Sequence, residues 1–415
     1  MIIVYRILTI VIVIFLPLIL VWRVFKKKEI LNRSKEKICF FGKKRNKGKL
    51  VWFHGASVGE IKSVIPLIEI YEKKNDIKTI LITSNTLSSA KIVSEIENKK
   101  IIHQFFPLDL NLFVKQFLNY WQPSAACFID SEIWPNMIFE LKKRKIPIVL
   151  LNGRVTKKSF KKWLFFKSFA KEIFSKIDLC LSSSKETVNY LKKLGAKKVK
   201  FLGNIKFTKS KHKISNIKNN LKIFTKTKKV WCASSTHYNE EHMCGIIHKK
   251  LKKKYKNLLT IIIPRHIERV DSIKKNLERI GLKIHVHEPQ KKININTDIY
   301  LVNVYGQTKS FYANCRNVFL GGSFINHGGQ NPLEAAIYGC NIMYGKYIQN
   351  FKEIYSFLKK NQIGYLTKDL GELTNKLDFF LSKKLPLKNK LKNKIDVIGS
   401  KILKNTEKEL NFYLN

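Results

Sequence analysis

Short apolar runs alternate with helix-length amphipathic stretches along almost the whole chain, in two successive blocks. Because this alternation is typical of parallel strands with helices on both faces of a sheet, each block predicts a doubly wound, Rossmann-like α/β domain. A chain of 415 residues is too long for one ordinary core and suits two. The predicted strands are residues 50–53, 79–83, 101–105, 125–129, 146–151, 179–183 and 199–203 in the first block, and 230–235, 258–264, 283–287, 299–303, 317–322 and 341–345 in the second.

A polar stretch separates the two blocks. Residues 208–228 are rich in Lys, Asn, Ser and Thr and have few apolar positions, so they predict a surface linker. We therefore expect an N-terminal domain over residues 29–207 and a C-terminal domain over residues 229–415. Because folds of this kind bind ligands in a crevice at the carboxyl ends of the strands, we expect two facing sheets with the functional residues in the cleft between them.

The chain begins with an apolar segment that predicts a membrane anchor over residues 1–28. Residues 7–22 are almost uninterruptedly apolar, and they lie between Arg6 and the basic flank 23–28. The run is marginal in length for a span and contains Pro17, but it ends without the small-residue cleavage site of a signal peptide. The basic flank places the large domains on the cytoplasmic side, facing anionic headgroups. The alternative is a buried core helix.

The charge balance is strongly basic, with 79 Lys and Arg against 30 Asp and Glu and a net charge of +49. Such a field favours anionic partners, namely nucleic acid, anionic lipid or a phosphorylated glycolipid, although the excess of Lys also fits a general compositional bias. The seven cysteines are scattered without a CxxC pair. This pattern favours buried thiols in a reducing compartment over a zinc site.

The first block contains a Gly-spaced turn directly after its first strand. In the string VWFHGASVGE at residues 51–60, Glu60 lies close to the start of the following helix, so its carboxylate is expected at the carboxyl end of the strand. Ser57 in the same turn is a further candidate. The alternative is that Glu60 only complements the helix dipole.

Two more carboxylates, and one lysine, follow later strands of the first block. Asp130 and Glu132 come just after a predicted strand, and residues two apart on an extended segment share a face, so both could point into the cleft. Capping of the next helix by Ser131 or Asp130 is the alternative. Lys206 emerges from the last strand of the block.

In the second block, a very apolar strand ends in Pro264 and Arg265. The guanidinium fork of an arginine suits a phosphate or a carboxylate better than an ammonium group does, so we favour a ligand contact over a surface ion pair.

A Gly-rich string at residues 320–339, LGGSFINHGGQNPLEAAIYG, is the strongest motif of the chain. Its glycines let backbone amides approach a phosphate, and Pro332 is expected at the first position of a helix whose N–H groups favour an anion. Glu334 in the first turn could accept hydrogen bonds from ribose hydroxyls, and His327 is a further candidate. A capped core helix after a tight turn is the alternative.

Eight strings together resemble the bacterial 3-deoxy-D-manno-octulosonic acid (Kdo) transferase family in order and spacing over nearly the entire chain. The strings are HGASVGE (54–60), FFPLDL (105–110), DSEIWPNM (130–137), LNGR (151–154), GNIKF (203–207), ASSTH (233–237), PRH (264–266) and GGSFINHGGQNPLEA (321–335).

The resemblance implies the GT-B fold and transfer of Kdo from CMP-Kdo to a lipid A precursor (lipid IVA), with inversion at the anomeric carbon. It also implies a role in lipopolysaccharide biosynthesis, with no cofactor and no metal in the active site. The expected location is the inner membrane, with the catalytic domains on the cytoplasmic face and an anionic lipid surface as a partner, but no nucleic acid.

The resemblance also assigns roles to residues of the first block. Glu60 matches the general base, and a field of neighbouring lysines is expected to keep its carboxylate ionised. Asp130 matches a second acidic position where Glu is more usual, with Glu132 as the nearby alternative. Lys206 matches a residue that stabilises developing charge.

In the second block the resemblance assigns the CMP-Kdo contacts. Tyr305, Gly306 and Gln307 match a stretch in which the family often has Met-Gly-Glu. The complete set of expected donor contacts is Pro264, Arg265, Tyr305, Gly306, Gln307, Asn331, Pro332, Leu333 and Glu334. The lysine- and aromatic-rich residues 157–167 could contact the acceptor, or could form an ordinary solvated helix.

Two other functions remain open from the residues alone. The first is another GT-B nucleotide-sugar enzyme, such as a heptosyltransferase or a non-transferring epimerase. The second is a basic protein that binds a membrane surface or nucleic acid, for which no RNA-binding signature is present.

Overall fold

The computed structural model describes residues 1–14, 31–208, 221–288, 290–383 and 389–414. The chain divides into two compact units, the first formed by Met1–Lys211 with Ile398–Asn415 and the second by His212–Val397. The sequence analysis assigned everything from residue 229 to 415 to the second domain, whereas the structure returns the C-terminal segment to the first unit.

The first unit contains a parallel sheet. Its described strands are β1 (Lys49–His54), β2 (Ile77–Ser84), β3 (Ile101–Phe105), β4 (Ala125–Ile129), β5 (Ile148–Gly153), β6 (Leu179–Ser182) and β7 (Val199–Phe201), in the order β3-β2-β1-β4-β5-β6-β7. The order reverses at β1, beside β4, as in a doubly wound fold, so this is where a ligand crevice is expected.

Helices cover both faces of this sheet. They are α1 (Ile2–Ile14), α2 (Leu31–Ser34), α3 (Val58–Tyr71), α4 (Leu87–Ser94), α5 (Asn111–Trp121), α6 (Pro135–Lys143), α7 (Lys157–Phe165), α8 (Lys167–Phe174) and α9 (Lys185–Lys193), with 3₁₀ turns at Lys35–Ile38 and Ile205–Phe207. Alternate residues of β1 join separate cores, because Trp52 packs with α5, α6 and α8 while Phe53 packs with α3 on the opposite face.

The second unit repeats the architecture. Its strands are β8 (Lys229–Thr236), β9 (Leu258–Pro264), β10 (Ile284–Val286), β11 (Ile299–Leu301), β12 (Asn317–Leu320), β13 (Asn341–Tyr344) and β14 (Gly364–Leu366), in the parallel order β10-β11-β9-β8-β12-β13-β14. Its helices are α10 (Leu221–Thr227), α11 (Glu240–Lys252), α12 (Val270–Arg279), α13 (Thr308–Asn314), α14 (Leu333–Ile337), α15 (Lys352–Lys360), α16 (Leu370–Ser382) and the start of α17 (Asn389–Leu414), with 3₁₀ turns at Ile267–Arg269 and Gln349–Phe351.

The predicted pair of parallel-sheet α/β domains is confirmed, and each predicted strand segment contains a strand. The edge strand β14 was not predicted, because it has three residues and only Gly364 is buried. The predicted linker 208–228 includes residues 209–220, which lie outside the described residues, and α10. Leu221 and Phe224 are buried on one side of α10, which explains a helix where a surface connection was expected.

The N-terminal helix α1 packs against the first unit. The Tyr5 hydroxyl donates to Asp109 Oδ2 at 2.9 Å, and Arg6 Nε donates to Asn136 Oδ1 at 3.2 Å. None of the described helices combines the length and the apolar character that a bilayer span requires. Residues 15–30, which hold much of the predicted anchor, lie outside the described residues, so the anchor stays a prediction.

Candidate active site

Three adjacent strands of the first sheet end at the same edge. Because β1, β4 and β5 are neighbours and parallel, the loops after them lie side by side. These loops carry the strings HGASVGE, DSEIWPNM and LNGR. The structure therefore brings together the motifs that were separated by up to about a hundred residues in the sequence.

Glu60 closes a capping box at the start of α3. Its Oε2 accepts from the amides of Ala56 at 2.6 Å and Ser57 at 3.2 Å, while Ser57 Oγ accepts from the Glu60 amide at 3.4 Å. The box places Ser57 at the N-cap and Glu60 at the third helical position. Glu60 therefore lies after β1, at the start of α3, where its carboxylate also complements the helix dipole.

Asp130 is held in an ion pair with Lys206. Its Oδ2 accepts from Lys206 Nζ at 2.8 Å and its Oδ1 accepts from the Asn152 side-chain amide. Asn152 Oδ1 in turn accepts from the Ile205 amide at 3.0 Å, which fixes the turn that carries Lys206. Asp130 and Asn152 both have positive φ, 57° and 54°, a conformation that Asp and Asn adopt more readily than most residues. The structure thus unites two of the predicted catalytic residues.

Glu132 belongs to a separate hydrogen-bonded chain. Its Oε2 accepts from Trp134 Nε1 at 2.8 Å and from His54 Nε2 at 3.1 Å. His54 Nδ1 accepts from the Thr83 hydroxyl at 2.9 Å, and Thr83 Oγ1 accepts from the Trp52 indole, a proton assignment that follows from the network. Burial lowers the pKa of His54 and so favours the neutral imidazole, which is the form that this series of hydrogen bonds requires.

The three carboxylates interact electrostatically. Burial raises the pKa of Glu60, and the negative charges of Glu132 and then Asp130 raise it further. The expectation that neighbouring lysines keep Glu60 ionised is therefore not met, because burial and the two carboxylates raise its pKa while Lys206 is paired with Asp130. A raised pKa makes Glu60 a stronger base once it is ionised.

In the second sheet, three adjacent loops that hold predicted donor residues are joined by the loop that carries the string ASSTH. The order β11-β9-β8-β12 places the Tyr305, Pro264, His237 and Gly321 loops along one edge. Tyr305 links two of them, since its hydroxyl donates to Glu268 Oε2 at 3.4 Å, beyond the end of β9. Gly306 and Gln307 follow, just before α13.

Glu240 organises this edge and was not predicted. Its Oε2 accepts from the amides of His237 at 2.9 Å and Gly322 at 2.8 Å, and its Oε1 accepts from the Phe324 amide at 3.2 Å. The side chain is fully buried, so these three amides are what stabilises its polar atoms. The signal available in the sequence was a glutamate at a helix start, three residues after the end of ASSTH.

Close backbone packing explains the glycine at position 321. A Cβ there would lie 2.5 Å from the Ser235 carbonyl oxygen and 2.7 Å from Glu240 Oε2. Gly322 has φ of +66°, and its carbonyl accepts from the Gly329 amide at 2.9 Å, which closes the loop on itself.

Basic side chains surround this loop. The rings of His237 and His327 lie 4.1 Å apart between centroids, and the rings of His237 and His266 lie 5.9 Å apart. Burial and, to a smaller extent, the neighbouring His327, His266 and Arg265 together lower the pKa of His237 to about 4. Arg265 is exposed beyond β9, so its guanidinium is accessible to an anion.

The helix after the Gly-rich loop begins one residue later than predicted. Asn331 Oδ1 accepts from the Leu333 amide at 3.1 Å, which leaves Pro332 at the N-cap rather than at the first helical position. The helix α14 spans Leu333–Ile337, with Glu334 in its first turn as expected.

His54, Asn152 and Glu240 are the polar residues that sequence reasoning did not single out. His54 and Asn152 lie within the strings HGASVGE and LNGR, each at the polar end of an otherwise apolar strand. Among the residues that the structure describes, no group of three His, Cys, Asp or Glu side chains is arranged to hold a metal ion.

Comparison with known proteins gives consistent matches. The family model of 3-deoxy-D-manno-octulosonic-acid transferase (kdotransferase) matches residues 32–209. A 3-deoxy-D-manno-octulosonic acid transferase of Rickettsia felis is 34% identical over 368 residues, 88% of this chain and 78% of that protein. A probable mitochondrial 3-deoxy-D-manno-octulosonic acid transferase of Arabidopsis thaliana is 30% identical over 409 residues, 95% of this chain and 91% of that protein.

Among solved structures, UDP-GlcNAc 2-epimerase from Neisseria meningitidis superposes with a TM-score of 0.56 at 13% identity, covering 88% of this chain and 99% of the epimerase. At this identity the likeness concerns the fold alone, two Rossmann-like domains. The relatives at 30% identity or more carry the assignment: this chain belongs to the 3-deoxy-D-manno-octulosonic acid transferase family.

Proposed function

We propose that the protein is an inverting glycosyltransferase that moves Kdo from CMP-Kdo to the lipid A precursor lipid IVA in lipopolysaccharide biosynthesis. Membership of the Kdo transferase family supports the reaction class and the donor. The observation that carries the mechanism is the placement of Glu60, a carboxylate of raised pKa, at the carboxyl edge of the first sheet.

The first unit supplies the base. Glu60 Oε2 accepts from two backbone amides, which support the ionised form of the carboxylate. We therefore assign Oε1 to the acceptor hydroxyl. As that hydroxyl oxygen forms a bond to the anomeric carbon of Kdo, its proton passes to Oε1 and the bond to the CMP phosphate breaks, with the electron pair leaving on CMP.

The second unit is the proposed donor site. Arg265, His266 and His327 surround the Gly-rich loop, whose backbone at Gly321 packs closely against Ser235 and Glu240. Basic side chains beside backbone amides suit the phosphate of CMP. Positive charge there stabilises the departing phosphate in the transition state. Lys206, already paired with Asp130, keeps one cation among the three carboxylates of the first unit.

We further propose attachment of the chain to the cytoplasmic face of the inner membrane through its N-terminal segment. The apolar residues 7–22 and the basic flank 23–28 support this location. A lipid acceptor is consistent with it, because the hydroxyl to be glycosylated would then lie at the same bilayer surface as the enzyme.

The test is a transfer assay with the purified full-length protein, CMP-Kdo and a tetra-acylated lipid A precursor, read by product mass. We expect a mass increase of one or more Kdo residues. ADP-heptose and UDP-sugars serve as competing donors, and product from either of these but not from CMP-Kdo would refute the proposal in favour of another nucleotide-sugar enzyme.

A further inference from the structure

The junction between α7 and α8 presents three consecutive bulky apolar side chains to the outside. Leu164 is 40% exposed, Phe165 84% and Phe166 58%. Exposed apolar residues that occur singly are common, but a contiguous group of three marks a surface that contacts another apolar phase. We refer to Lys157–Lys167, which contains this group, as the elbow segment.

The elbow segment is nevertheless anchored to the first unit. The Phe160 ring stacks on Tyr190 with centroids 4.3 Å apart, and the Trp163 ring packs edge-on against Phe174 at 5.3 Å. Thr156 caps α7 by accepting from the Ser159 amide at 3.1 Å. The inward aromatics therefore hold the outward ones in position, and the exposure of Phe165 is a property of the folded surface.

Positive charge frames the exposed aromatics. The elbow segment contains five lysines, all exposed, and no Asp or Glu occurs between residues 155 and 171. Lysines around an apolar centre match a bilayer surface with anionic headgroups, where each contributes on the order of 1 kcal/mol of attraction.

A second apolar surface adjoins the elbow segment. The Tyr5 ring of α1 lies 6.0 Å from the Phe169 ring of α8. The outward side of α1 is apolar, and its exposed residues are Ile3, Val4, Ile7, Leu8, Ile10 and Val11. The two surfaces lie on the same face of the first sheet, the one whose core contains Trp52.

We propose that the elbow segment inserts Phe165 and Phe166 into an anionic bilayer surface, as a membrane contact of the first unit in addition to the N-terminal segment. The proposal extends the proposed function, since a lipid acceptor must be reached at that surface. The elbow begins three residues after Arg154 of the LNGR loop, so insertion would hold the edge that carries Asp130 and Asn152 close to the headgroups.

A fluorescent label that reports the polarity around it tests the insertion. Full-length protein with Cys39→Ser, which removes the half-buried thiol, would carry Phe165→Cys or, as a matched control, Phe412→Cys. Phe412 is 73% exposed on α17, which packs on the opposite face of the same sheet. Each labelled protein is mixed with vesicles of phosphatidylcholine alone or with phosphatidylglycerol.

We expect a blue shift and a several-fold loss of iodide quenching at position 165 with the anionic vesicles, a smaller change with phosphatidylcholine alone, and no change at position 412. Equal behaviour of the two labels in the presence of vesicles would overturn the proposal. So would a blue shift at position 165 that rises with protein concentration in the absence of lipid, because that result would indicate contact with a second copy of the chain.

An activity comparison separates this inference from the proposed function. The double variant Phe165→Ser/Phe166→Ser should lose about tenfold more activity with acceptor in anionic vesicles than with acceptor in detergent micelles, given the apolar area removed from the lipid. Equal loss in both media would contradict insertion. Absence of product from the wild type in detergent would instead contradict the proposed function, while the label readout remains independent of turnover.

Discussion

The carboxylates of the first unit differ in what their oxygens contact. Asp130 is neutralised by Lys206, and Glu132 accepts from two ring N–H groups. Glu60 differs from both, because its Oε2 accepts from two backbone amides at the start of α3. This difference, rather than acidity alone, distinguishes the base from its two neighbours.

Replacing Glu60 by Gln should therefore lower the transfer rate by about 10²- to 10⁴-fold, the usual contribution of a general base. The amide oxygen can still accept from Ala56 and Ser57, so the fold and CMP binding should persist. Transfer rate and CMP affinity are the measurements. Glu69→Gln, near the far end of the same helix, is the control, and retained turnover in Glu60→Gln would remove Glu60 from its role.

The pH dependence of transfer should report the charge on Glu60. Its pKa is raised, so activity should fall on acidification at a pH above the ordinary range of a glutamate as the base becomes protonated. Glu132 is its largest electrostatic neighbour, and removing a like charge favours ionisation. Glu132→Gln should therefore move the acidic limb of kcat/KM to lower pH.

The exposed Asp76→Asn provides the control for this pH profile. An acidic limb that keeps its position in Glu132→Gln would show that the limb belongs to a group other than Glu60.

Among the structural elements, the start of α11 holds the Gly-rich loop through Glu240. Glu240→Gln places an amide N–H where a backbone N–H now donates, so at least one of the three hydrogen bonds must be lost. We expect CMP affinity to fall by about tenfold, in line with roughly 1–2 kcal/mol for such a loss. Calorimetric titration with CMP is the measurement.

The adjacent Glu241→Gln separates loop geometry from general destabilisation. Glu241 is also buried and pairs with Arg269 at 3.0 Å, away from the loop amides. It should lower the melting temperature without an equal loss of CMP affinity. If both variants lose affinity alike, Glu240 acts only through the stability of the second unit.

The elements that sequence reasoning identified share one physical property. A strand buried on both faces, such as β4 or β9, leaves a continuous apolar run that can be read without knowledge of its neighbours. β14 lacks that property because its side chains are only partly buried. The helix start that carries Glu240 could be read from the sequence, but its partners Gly322 and Phe324 could not, since they are about eighty residues away.

At the scale of the whole molecule, the last helix α17 brings the C-terminal residues back to the first unit. The amphipathic pattern of α17 indicates that one side is buried, but not which sheet covers it. In the structure Ile402, Leu410 and Leu414 join the core of the first unit beside α3 and β1. The C-terminal residues therefore belong to the same compact unit as the N-terminal residues.

Leu410→Ala should accordingly destabilise the first unit by about 2–5 kcal/mol, the usual cost of truncating a buried leucine. Thermal unfolding is the measurement, with CMP binding as a reporter that the second unit remains folded. Val397→Ala, on the same helix at a position 68% exposed, should have little effect. Loss of CMP binding together with an unchanged melting temperature would contradict this assignment of α17.

The buried carboxylate of Asp109 has a practical consequence for anyone who trims the chain. It accepts from the amides of Asn136 and Met137 at the start of α6 and from the Tyr5 hydroxyl. In a shortened protein that lacks α1, Asp109 would lose its hydrogen bond from the Tyr5 hydroxyl, and the side chains that Tyr5 covers, such as Phe169, would be exposed to water. Solubility gained by such a cut would come with a disturbed loop at the very motif that holds Glu132.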